Sequence, residues 1–278
     1  MSDPLVSPDW LAHNRSDVVI LDATYYLPPD PQRTRRDFEA VRIPGARLFE
    51  IDEISNKNSD LPHMLPDALT FSDAMAQLGI DGSRPVVVYD RSPNHFSAPR
   101  VWLTLRLFGV PDVRVLDGGL TAWTRAKHAT EGGPEATCKG AVRRMWSIDS
   151  SRVLDGTQMA ELIAENAGIV IDARSAERFA GRALEPRPGL KSGHMPGSLN
   201  IPFDAMTSAD GRFLDMRALS ALFGDLNGKL PVVTCGSGMT ACVLALGLSR
   251  VGIEARLYDG SWAEWGRATF GPINVSTQ

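Results

Sequence analysis

Cysteine is scarce in this chain: Cys138, Cys235 and Cys242 are the three present among 278 residues. An odd count in a long chain argues against a disulfide framework and fits a reducing, cytoplasmic setting. The sequence has no C-x-x-C and no H-x-x-x-H, and its five histidines (His13, His63, His95, His128, His194) are scattered, so a metal site has no spacing to support it. Excess positive charge is also missing. Asp and Glu (33) outnumber Lys and Arg (29), for a net charge of −4. That balance gives no electrostatic reason to expect nucleic acid. Two short basic clusters, Arg33 to Arg36 and Arg143–Arg144, read as solvated faces. No apolar run reaches the length of a membrane span, and the apolar stretch after Cys235 is interrupted by Arg250. The opening residues, MSDPLVSPDW, have neither the charged nor the apolar region of a signal peptide and are not Arg-rich, so no targeting segment is expected. What remains, 43% hydrophobic and 22% charged residues, is the mixture of a soluble globular protein.

One of the few cysteines sits in an unusual place, in PVVTCGSGMTACVLALGLSRVG (231–252). Val232 and Val233 read as a short buried strand. Gly236 and Gly238 allow a sharp turn with positive φ. From Met239 to Arg250 the residues favour a helix, and Gly252 suits its C-terminal stop. Cys235 therefore falls just before the open N-terminus of a helix, where unpaired N–H groups and the positive dipole end favour an anion. An isolated cysteine is more often a buried structural residue. Two glycines and a helix start directly after it favour a nucleophile. Cys138 reads as an incidental linker thiol, and Cys242, seven residues after Cys235 and in the helical stretch, as helix packing.

The chain also repeats itself. VVILDAT ends at Thr24 and GIVIDAR at Arg174. IPGARLFEID spans 43–52 and MPGSLNIPFD 195–204. PVVVYD spans 85–90 and PVVTC 231–235. VRVLDGGLTAW ends at Trp123 and EARLYDGSWAEW at Trp265. Four blocks in one order, at nearly constant spacing, indicate a tandem duplication of one α/β domain. Short Val/Ile-rich runs alternate with helical patterns in each half, which predicts a parallel sheet flanked by helices on both faces. The expected division is 1–130, a Gly-rich linker over 131–150, and 151–278. The halves differ at one place. Where the second has Cys235, the first has Asp90 followed by a longer loop, RSPNHFSAPR. A copy without the thiol cannot do the same covalent chemistry, so the first half is expected to be inactive and the second catalytic.

CGSGMT after a strand, DAR, SGHMPG and YDGSWAEW together resemble the tandem-domain rhodanese-like sulfurtransferases, and within them the mercaptopyruvate-using branch. The likeness runs through the N-terminal half as well, in HMLP, SAPRVW and LDGGL. It implies that Cys235 takes sulfur from 3-mercaptopyruvate as a persulfide, releases pyruvate, and passes the sulfur to a thiol such as thioredoxin or a small thiol, or to cyanide, without a cofactor. Amides of Gly236, Gly238, Met239 and Thr240 would bind the anion. The resemblance also places a hydroxyl–imidazole–carboxylate relay on Ser237, His63 and Asp52, the last two from the inactive half. It places the substrate arginines on Arg178 and Arg187. From the residues alone, Arg182 is as good a candidate, and any of the three could be solvated. An arginine fork suits a planar carboxylate. His194 is expected to stabilise a turn, and Asp172 to support the active-site loop. Two residues depart from the family pattern: Arg42 stands where a histidine is usual, and Met239 where valine is commoner.

Other readings share parts of this pattern. Thiosulfate:cyanide sulfurtransferases use the same fold and cysteine, but carry cations in the loop that Ser237 and Met239 occupy here. A dual-specificity phosphatase of this fold needs a longer loop ending in Arg. A non-catalytic sensing or binding protein would not need Cys235.

Overall fold

The structure, a computed structural model, describes residues 3–138, 140–226, 228–267 and 271–275. It divides into two units, each built on a five-stranded parallel sheet. In the first, β1 (Leu5–Val6), β2 (Val19–Asp22), β3 (Arg47–Leu48), β4 (Val86–Tyr89) and β5 (Val113–Leu116) lie in the order β1-β5-β4-β2-β3. In the second, β6 (Val153–Leu154), β7 (Val170–Asp172), β8 (Leu199–Asn200), β9 (Val232–Thr234) and β10 (Arg256–Tyr258) lie in the order β6-β10-β9-β7-β8. The topology is the same in both, as the repeat requires. The central strands β4 and β9 are buried along their whole length, the signature of strands covered on both faces.

Several helices start where a side chain satisfies one of their free N–H groups. Asp67, Asp155 and Asp215 each accept from the third helical amide, and Asp155 with Gln158 forms a full capping box. The helix Ala241–Arg250 is buried on every side except at Arg250, so it is a core element rather than an amphipathic cover. It begins two residues later than the sequence suggests. Gly238 adopts φ +76° and its N–H is bonded outside the helix, so helical geometry cannot start before Thr240.

The units are not the two contiguous halves. Ser59–Met64 belongs to the second unit, and Thr207–Phe213 to the first. In the latter segment Phe213 donates its N–H to Asp117 (2.9 Å), its ring lies 4.9 Å from that of His95, and Arg125 donates to the Asp210 carbonyl (3.0 Å). Such long-range contacts leave no periodic trace in a sequence.

Residues 131–138 and 140–149 also belong to the first unit, and Arg42 shows what holds the start of this segment there. Its buried guanidinium bonds the Glu131 carboxylate (2.9 Å) and the carbonyls of Gly133 (2.7 Å) and Pro134 (3.1 Å). Arg42→Ala is expected to lower the stability of this unit by about 2–3 kcal/mol, because it removes the charge-assisted bonds of a buried side chain. Urea unfolding followed by far-UV circular dichroism checks this. An unchanged midpoint would show the contact to be superficial.

Candidate active site

The second unit gathers its polar side chains at the carboxyl ends of β7, β9 and β10, where open α/β sheets form their ligand sites. Cys235 follows β9 directly and is buried, 2% exposed. Its loop is fastened to the segment after β10. The Cys235 carbonyl accepts from Trp262 N–H (2.9 Å) and the Gly236 carbonyl from Ala263 N–H (2.8 Å). Ser261 Oγ accepts from the N–H groups of Cys235 (3.2 Å) and Gly238 (3.0 Å), and donates to the Tyr258 carbonyl (2.9 Å). Among the described residues, the N–H groups of Gly236, Ser237, Met239 and Thr240 make no hydrogen bond. They are the donors left over for an anion at the Cys235 sulfur.

Ser261 is a residue that sequence reasoning missed. It is fully buried and holds φ +51°, a region that side chains other than glycine rarely adopt. The equivalent residue of the first half is Gly119, at φ +55°. The sequence carried the signal: the repeat reads DGG in one half and DGS in the other. A strained serine whose hydroxyl holds two loop amides is a positioning residue. Behind it, Tyr258 donates its hydroxyl to Glu264 (2.8 Å), and burial raises both the Tyr258 phenol and the Glu264 carboxyl above their ordinary values.

Gly236 has a different reason for being glycine than the sequence suggests. Its φ is not positive. A Cβ there would sit 3.1 Å from an Arg178 terminal nitrogen, so the missing side chain makes room for the guanidinium. Gly238 does take positive φ, as expected. Met239 is buried, and Thr240 stands at the N-cap position without a side-chain capping bond. Cys242 is the second residue of the helix, and its S–H donates to the Gly238 carbonyl (3.1 Å), a packing role against the loop.

Arg187 donates to Ser237 Oγ at 3.2 Å. With its oxygen accepting from a guanidinium, the Ser237 hydroxyl has its own hydrogen free to donate. Arg187, Pro188, Ala263 and Arg267 also line an open cavity of about 370 Å³ within this unit. Arg178 is tied by Glu185, at 2.5 Å to one carboxylate oxygen and 3.3 Å to the other. Glu185 in turn bonds Arg174 (2.7 Å), which is chelated by Asp172 and stacked 3.9 Å over the Trp262 ring. Asp172 thus supports the site through Arg174, not by touching the loop. Arg182 is paired with Glu177 on the surface (2.8 Å). His194 bonds the Phe179 carbonyl (2.9 Å) and stacks on that ring, tying down the helix that carries Arg178.

The structure places the other two expected residues in different units. His63 is a buried residue of the second unit, at φ +59°. Asp52 belongs to the first, where its carboxylate accepts from the Tyr25 hydroxyl (2.9 Å).

The first unit carries a longer loop at the same place, with its anion built in. Asp90, the counterpart of Cys235, is fully buried. Its carboxylate accepts from the N–H groups of Ser92 (3.1 Å), Ser97 (2.9 Å) and Ala98 (2.7 Å) and from the Ser92 hydroxyl (2.9 Å). Its carbonyl accepts from Leu120 N–H (2.9 Å), as that of Cys235 does from Trp262. A side-chain carboxylate thus occupies the donors that the second unit leaves open.

Comparison with known proteins gives a consistent picture. The rhodanese-like domain model matches residues 7–126 and 155–268. The chain is 38% identical over 275 residues to 3-mercaptopyruvate sulfurtransferase of Escherichia coli K12, covering 96% of each chain. It is 37% identical over 289 residues to thiosulfate/3-mercaptopyruvate sulfurtransferase 1 (mitochondrial) of Arabidopsis thaliana, covering 95% of this chain and 76% of the relative. The crystal structure of the Escherichia coli 3-mercaptopyruvate sulfotransferase SseA superposes with a TM-score of 0.84 at 36% identity, over 95% of this chain and all of that one. Among the described residues no helix is long and apolar enough to cross a membrane.

Proposed function

The chain belongs to the tandem rhodanese-like sulfurtransferases, and on that footing we propose that it moves sulfur from 3-mercaptopyruvate to a thiol or cyanide through a persulfide on Cys235. The observation that carries the reading is the pairing of a buried thiol with four unbonded loop amides in one unit, against the filled loop at Asp90 in the other.

In the first half-reaction the Cys235 thiolate attacks the thiol sulfur of the donor. The sulfur–carbon bond breaks, its electron pair leaves on carbon as the enolate of pyruvate, and a proton completes pyruvate. Arg187 and Arg178 hold the donor's carboxylate and carbonyl. The Ser237 hydroxyl, whose oxygen already accepts from Arg187, supplies or relays the proton. His63, a buried residue of the same unit, is the imidazole that recharges it, a role that rests on the family pattern. The loop amides of Gly236, Ser237, Met239 and Thr240 stabilise the persulfide anion. In the second half-reaction an acceptor thiolate, from a small thiol or a thioredoxin-like protein, or cyanide attacks the outer sulfur and frees the Cys235 thiolate.

The test is a donor comparison. With 3-mercaptopyruvate the protein should release pyruvate and gain one sulfur atom, and kcat/KM should exceed that with thiosulfate. One relative named for both donors makes the comparison informative. A higher kcat/KM for thiosulfate would replace this reading with the thiosulfate:cyanide reaction.

A further inference from the structure

We propose that Glu185 sets the charge of the sulfur donor that the site accepts, holding it to a single negative charge. The inference rests on the sulfur-transfer reading and identifies a specificity-determining residue for it.

Arg174 is fully buried and bidentate to Asp172, whose carboxylate is also buried. Arg178 reaches the loop at Gly236, where cationic help for a substrate would be most direct. Its charge is already met by Glu185, whose side chain is 1% exposed and bonds it at both carboxylate oxygens. The two arginines and two carboxylates therefore cancel. Arg187, on Ser237, has no carboxylate partner among the described residues. Among the described residues this leaves Arg187 as the uncompensated cation at the loop, together with neutral N–H groups. That set matches mercaptopyruvate, which carries one carboxylate and a neutral thiol. It leaves the second charge of thiosulfate without a partner.

Glu185→Gln removes one carboxylate and keeps the size. Arg174 retains Asp172, and Arg178 is partly exposed to solvent, so neither arginine is left buried and unpaired. Arg178 then presents its full charge at the loop. The ratio of kcat/KM for thiosulfate to that for mercaptopyruvate, both with cyanide as acceptor, should rise about tenfold or more. Glu185→Asp keeps the charge and should stay near the wild-type ratio. A role confined to folding would lower both donors equally in Glu185→Gln and leave the ratio unmoved, and that result overturns the proposal. A second measurement needs no variant. In the wild-type protein, methanesulfonate should compete with mercaptopyruvate more strongly than sulfate does. Equal or stronger competition by the dianion also overturns it. Wild-type protein that gains sulfur from neither donor would instead overturn the sulfur-transfer reading.

Discussion

Cys235→Ser is expected to abolish pyruvate release from 3-mercaptopyruvate, while Cys138→Ser leaves it nearly intact. A serine hydroxyl cannot hold a transferable sulfur, so the loss should be about four orders of magnitude or more, the scale found when a covalent nucleophile is removed. The three thiols sit in environments that separate their roles. Cys138 is partly exposed in the first unit, and its sulfur accepts from Gly140 N–H (3.2 Å). Cys242 is buried with its S–H committed to the Gly238 carbonyl. Cys235 alone is followed by amides that have no other partner. Intact-protein and peptide mass spectrometry after incubation with donor should place one added sulfur atom on Cys235. Sulfur found mainly on Cys138 or Cys242 would move the chemistry elsewhere.

The parts of this site legible in the sequence are those set by local rules. A Val-rich strand, a glycine-bracketed cysteine and an apolar helix follow one another, and the structure keeps that order. The duplication gave the sheet topology twice, because each half must bury the same apolar faces. What was not legible depends on contacts between distant residues. Nothing local marks Glu185, in a Pro-rich loop, as the buried carboxylate between Arg174 and Arg178. Gly236 looked like a turn residue, and only the folded chain shows Arg178 against it. The late start of the helix at Ala241 follows from Ser261, more than twenty residues ahead, whose hydroxyl captures the Gly238 amide. His63 lies in the first half of the sequence, yet folds with the second unit.

Arg187→Ala and Arg178→Ala should each lower kcat/KM with 3-mercaptopyruvate by roughly ten- to a hundredfold. Each loses a charge-assisted hydrogen bond to the donor, a loss of about 1.5–3 kcal/mol. The charge count makes the two losses comparable. Removing Arg187 takes away a cation that has no carboxylate partner among the described residues. Removing Arg178 leaves Glu185 with only Arg174, and the added negative charge offsets Arg187. Arg→Lys at either place keeps the charge but loses the planar fork, so it should recover only part of the activity. The second half-reaction provides the internal control. Transfer from preformed Cys235 persulfide to a thiol involves no donor carboxylate, so stopped-flow rates for that step should be nearly unchanged. Arg182→Ala should do little in either step, because Arg182 is paired with Glu177 on the surface and touches nothing in the loop. If Arg182→Ala cripples the first half-reaction while Arg187→Ala leaves it untouched, the donor lies elsewhere in the second unit, even though the chain remains a rhodanese-like sulfurtransferase.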